Sequence, residues 1–135
     1  MNNFDELKSG EIKEIAMNKY GTAAINAAIE DKNPIESWKI AVKDFDSESA
    51  KVKGCPKNTF LGLCEDGLIK GIPKGNYTKS IKNKEYAINA TKIIKNNPNK
   101  SFSPKELWEK LDLGDKRHNA QMDVVLALWE HGLIK

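Results

Sequence analysis

Apolar and polar positions follow one another along this chain with helical spacing. In "NAQMDVVLALWEHG", Asn119 to Gly132, the apolar residues Met122, Val125, Leu126, Leu128 and Trp129 recur every three or four positions, the inward stripe of an amphipathic helix. Gly132 stands just past that stripe, where only glycine reaches the left-handed conformation without steric cost. A second helix of the same kind is expected from Pro56, with Phe60, Leu61, Leu63 and Cys64 as its apolar positions and Gly67 as its cap. Alanine- and isoleucine-rich helices are expected over about Thr22 to Glu30 and about Lys84 to Lys95, each stopped by an Asn-Pro. Each is followed by a proline-initiated helix, one beginning at Pro34 and one at Pro104. Ser103, Pro104 and Glu106 form a capping-box pattern ahead of the inward-facing Leu107, Trp108 and Leu111. Ser9 to Tyr20 reads as one further helix with Leu7, Ile12, Ile15 and Ala16 on its apolar side, separated from the next by Gly21 and the N-cap candidate Thr22.

These elements repeat in order. "AINA" occurs at Ala24 to Ala27 and at Ala87 to Ala90, and Pro-x-Glu-x-Trp at Pro34 to Trp38 and Pro104 to Trp108. The endings match at Leu61/Leu126, Leu63/Leu128, Glu65/Glu130, Gly67/Gly132, Leu68/Leu133, Ile69/Ile134 and Lys70/Lys135. The expected architecture is all-α, with at most minor short β segments: two tandem three-helix units of similar design sharing one core. Residues 1–70 hold the N-terminal helix and the first unit, 71–84 a basic linker, small wing or hairpin, and 85–135 the second unit.

Charge alters this picture because it is uneven. Residues 1–50 carry a net −4, residues 51–100 a net +8 and residues 101–135 a net −1, so the overall +3 hides a basic middle. A lysine-rich middle fits either an anion-binding face or a solvated surface.

A helix, a short "KSFS", "SPKELWEKL", "NAQMDVVLALWEHG" and an extended "LIK" together resemble the winged helix-turn-helix. The chain also resembles an uncharacterised family of small bacterial proteins. The first resemblance implies DNA binding with the third helix of each unit in the major groove. The groove positions would be Lys53, Lys57, Asn58 and Thr59 in the first unit, and Lys116, Arg117, His118, Asn119 and Gln121 in the second. Lys74, Asn76 and Tyr77 would form the wing, with Lys79, Lys82 and Lys84 on phosphates.

Other chemistry finds little footing. Cys55 and Cys64 are too few for a disulfide framework or zinc cluster, and His118 and His131 stand in no triad or metal pattern. "GIPKGNYTKS" lacks Walker spacing, and the repeated Glu65 and Glu130 read as packing positions. The expectation is therefore no enzyme, no cofactor and no metal. The opening "MNNFDELKSGEIKEI" lacks a signal-peptide pattern and no apolar run is long enough for a membrane span, which points to a cytoplasmic protein with no membrane partner. Two functions fit: a nucleic-acid-binding accessory or regulatory protein with DNA as partner, or a noncatalytic adaptor that binds another protein or itself.

Overall fold

The structure, a computed structural model, describes residues 18–135, and the expected helix over Ser9 to Tyr20 lies outside them except for its end. The described chain is mainly helical: α1 (Lys19–Ile29), α2 (Pro34–Val42), the short α3 (Glu48–Lys51), α4 (Gly54–Glu65), α5 (Ile81–Asn96), α6 (Pro104–Lys110) and α7 (Gln121–Glu130). No helix among the described residues is long and apolar enough to cross a membrane.

Local chemistry sets most boundaries. Asn33 accepts the Ile35 N–H at 2.9 Å and Pro34 opens α2, while Ser103 and Glu106 form a complete capping box on α6. At the start of α1 the structure corrects the expected break. Asn18 accepts the Tyr20 N–H at 2.7 Å, so the helix begins ahead of Gly21 and Thr22, and Gly21 lies buried inside it.

The matched endings are alike in detail. Gly67 and Gly132 take φ of 74° and 70°. Beyond them Leu68 N–H donates to Leu63 O and Leu133 N–H to Leu128 O, each at 3.0 Å, the six-to-one bond of a Schellman cap. The two "LIK" segments then meet each other. Lys70 N–H donates to Leu133 O at 2.9 Å and Lys135 N–H to Leu68 O at 2.8 Å, around an isolated antiparallel bridge between Ile69 and Ile134. Among the described residues this bridge is the β pairing; "KSFS" and residues 71–80 carry none, so no two-stranded wing forms.

Packing crosses between the halves. The first helix of each half lies on the third helix of the other, α1 on α7 and α5 on α4, and one apolar cluster runs from Tyr20 to Ile134. The "AINA" segments explain how these pairs approach so closely. Ala24, Ala27, Ala87 and Ala90 are all buried, whereas Asn26 and Asn89 face solvent. Trp38 stacks on Phe60 with ring centroids 5.5 Å apart, and Trp108 meets Tyr86 edge-on at 5.4 Å.

One close backbone approach lies between α4 and α5. A Cβ at Gly62 would stand 2.7 Å from Lys84 Cα and 2.8 Å from its Cβ, and backbone at that distance has no rotamer by which to yield. At the corresponding places in the other pair stand Ala127 and Gly21, both buried. Gly62→Ala would ordinarily strengthen a helix by about 1 kcal/mol. Here overpacking, typically about 1–3 kcal/mol, outweighs that gain. Because the clash is with backbone, the upper part of that range applies, and a net loss of up to about 2 kcal/mol in chemical denaturation is expected; an unchanged or raised midpoint would refute this reading of the contact.

Candidate functional site

Residues 71–80 hold their place through Glu65, at the end of α4. Its Oε1 accepts the Tyr77 N–H at 2.8 Å and the Thr78 N–H at 3.1 Å, while Oε2 pairs with Lys84 Nζ at 2.9 Å. Tyr77 Oη donates to Pro73 O and Thr78 Oγ1 to Asn58 Oδ1, each at 2.8 Å. The basic linker is thereby an extended strap across the end of α4. Ser80 ends the strap and caps α5, accepting the Asn83 N–H.

The opposite wall comes from residues 111–120, between α6 and α7. Asp112, Gly114 and Ala120 all take positive φ, which folds this loop tightly back on itself. Trp108 Nε1–H donates to Lys116 O at 3.2 Å and so ties the loop to α6. His118 Nε2 accepts the Met122 N–H at 3.0 Å, serving as the N-terminal acceptor that Ala120 lacks. That role requires an unprotonated nitrogen, and burial pulls the His118 pKa down against the opposing pull of Asp123.

A polar floor joins the two walls. Gln121 Oε1 accepts the Asn119 N–H, and its amide donates to Asn83 Oδ1 at 3.2 Å; the Asn83 amide in turn reaches Ser80 Oγ at 3.0 Å. Above this floor opens a cleft of about 580 Å³. Lys79 and Lys82 line it from the strap and the start of α5, Lys116 and Arg117 from the α6–α7 loop, with Asn119, Tyr86, Trp108 and Cys55 also on its lining. No Asp or Glu lines it, and among the described residues none of the four cations has an ion-pair partner. Each is exposed, so a single one is worth little, but four of one sign around a concave surface produce a summed attraction for anions.

The sequence-predicted residues thus divide. Lys79, Lys82, Lys116, Arg117 and Asn119 come together, although they were expected on a wing in the first half and a recognition helix in the second. Thr59 and Gln121 must be corrected. Thr59 is fully buried with its hydroxyl on Cys55 O, and Gln121, 2 % exposed, belongs to the floor. Both follow from the burial of α4 and α7 among their neighbours, which leaves neither helix a face to insert into a groove. Lys84 is likewise engaged by Glu65, and by Asp66 at 4.0 Å. Asn58 holds the strap, as does Tyr77, half-buried and bonded at both its N–H and its hydroxyl. Lys53 lies over the Tyr20 ring, the Lys74 stem crosses Gly67, Asn76 is exposed and Lys57 is half-buried; none of the four lines the cleft. Ser80, Asn83 and Tyr86 were missed; of these only Ser80, three residues before Asn83 at a helix start, carried a readable capping signal.

Among the described residues no three His, Cys, Asp or Glu side chains cluster to hold a metal ion. A family model described as a family of unknown function (DUF6979) matches residues 17–135. No curated protein and no solved structure matches the chain.

Two outcomes test this geometry. The Lys84 side chain and the Thr78 and Tyr77 amides together hold the Glu65 carboxyl down to about 2 from its ordinary 4.5. A depressed carboxylate contributes stability that is complete above the unfolded value and is lost as pH falls through the folded one. Melting followed between about pH 4.5 and 2 should therefore show a loss that Glu65→Gln largely abolishes, at a cost near neutrality of about 2 kcal/mol. Second, Cys55 is half-exposed, whereas burial pushes the Cys64 thiol far up. Alkylation of the native chain should label Cys55 alone, with Cys64 reacting only in denaturant; equal labelling of both would contradict the packing of α4.

Proposed function

The chain belongs to the DUF6979 family of unknown function, and from its own surface we propose that it is a noncatalytic nucleic-acid-binding accessory or regulatory protein that grips the phosphate backbone. One observation carries the reading: the cleft gathers Lys79, Lys82, Lys116 and Arg117 from two distant segments with no carboxylate on its lining. Phosphate contacts made by exposed Lys and Arg provide affinity and position without reading sequence. The burial of α4 and α7 agrees with such backbone recognition, since neither helix is free to present base-reading side chains. An adaptor role would draw instead on exposed large apolar side chains, which among the described residues are Ile29, Val52 and Ile81, and of these Ile81 lines the cleft itself. The reading also takes the two halves as copies of one unit, supported by their matching glycine caps and the reciprocal bridge between their endings.

The test is a titration of fluorescently labelled oligonucleotides at several salt concentrations. Four phosphate contacts give a logarithmic salt slope of roughly −3, because each contributes about −0.7 to −0.9. The double variant Lys82→Glu with Arg117→Glu should bind at least about tenfold more weakly and with a shallower slope, while melting as the unaltered protein does. Absence of binding at low salt, or binding indifferent to these changes, rejects the proposal.

A further inference from the structure

We propose that the nucleic acid held in this cleft is single-stranded, an inference that rests on the phosphate-binding reading above and narrows it. Duplex recognition in the major groove needs a protruding helix or ribbon. The elements that would supply one are the core helices α4 and α7, and the strap that would supply a wing is pinned flat by Glu65. What the surface offers is a hollow lined by cations from two separate segments. A strand can enter a hollow with its bases turned inward, whereas the bases of a duplex are already paired and stacked.

The lining suits unpaired bases. Tyr86 is half-buried, lies on the cleft, and is held edge-on against Trp108 with their rings at 85°. Trp108 is in turn fixed by its bond to Lys116 O and by the tilted His118 ring, centroids 5.2 Å apart. An aromatic ring braced in this way beside a basic track is the usual arrangement for sequence-tolerant stacking. Asn119 also lines the cleft, and its side-chain amide makes no hydrogen bond to another described residue, so it can meet the edge of an unpaired base.

The full chain is titrated with labelled single strands of DNA and of RNA, each about 12 nucleotides long, within the span one such site covers, and with a duplex of equal length at the same salt. Cys55 alkylation is followed in parallel as a report on the cleft itself. A single strand, of either sugar, is expected to bind at least about tenfold tighter than the duplex, and Tyr86→Ala to weaken strand binding about tenfold. The same strand should slow Cys55 alkylation in the unaltered protein, a result that does not depend on any variant folding. Duplex binding as tight as strand binding, still sensitive to Lys82→Glu with Arg117→Glu, overturns the inference and leaves the phosphate-binding reading standing. No binding of either form overturns both. Strand binding that neither protects Cys55 nor responds to Tyr86→Ala moves the site elsewhere and overturns the inference as well.

Discussion

The closeness with which α5 lies on α4 is the constraint on which the rest of the structure depends. Gly62 admits the Lys84 backbone to a distance no side chain permits, and the buried alanines of "AINA" continue the same smooth face. With α5 seated there, Lys84 reaches Glu65, and Glu65 can then draw the strap across the end of α4. The strap ends at Ser80, so the height of the α4–α5 contact fixes where Lys79 and Lys82 emerge. Each link is a single short interaction, and the order runs from a missing side chain to the position of two surface charges.

The crossed packing of the halves has a functional price. Because α1 takes its place on α7 and α5 on α4, the third helices are surrounded and their polar starts are drawn into structural duties. Gln121 spans the floor and His118 caps the helix behind it. On the proposed reading, binding falls to the segments that core packing does not claim, the strap and the α6–α7 loop, as is usual for binding surfaces on a rigid scaffold.

Most local signals were legible in the sequence, the break expected at Gly21 and Thr22 excepted, and long-range ones were not. Asn33-Pro34, Ser103 with Glu106, and the glycines at 67 and 132 all act on neighbours within a turn, and the structure holds them where residue chemistry puts them. The helical class followed from those same signals. The repeated "GLIK" was readable as an ending, but that one copy would pair with the other depends on how the halves cross. The candidate site failed in the same manner. Lys, Arg, Asn and Gln before α7 were suitable types, yet Gln121 turns inward because a partner on α5, Asn83, stands within reach. Asp112 and Ala120, non-glycine residues at positive φ, gave no warning of the turn that swings Lys116 and Arg117 toward Lys79 and Lys82.

The crossing of the halves also bears on how the chain reaches its native state. The alanine face of α1 is covered by α7, about a hundred residues later in the sequence. While the ribosome is still extending the chain, that face has α2 beside it but lacks the cover that α7 supplies, and local helix formation cannot replace it. Contacts between such distant segments slow folding because loop closure must precede their reward. The small, weakly sticky alanine surface is thus suited to waiting: it exposes less apolar area during synthesis than a leucine stripe would, and it still permits the closest approach once its partner arrives.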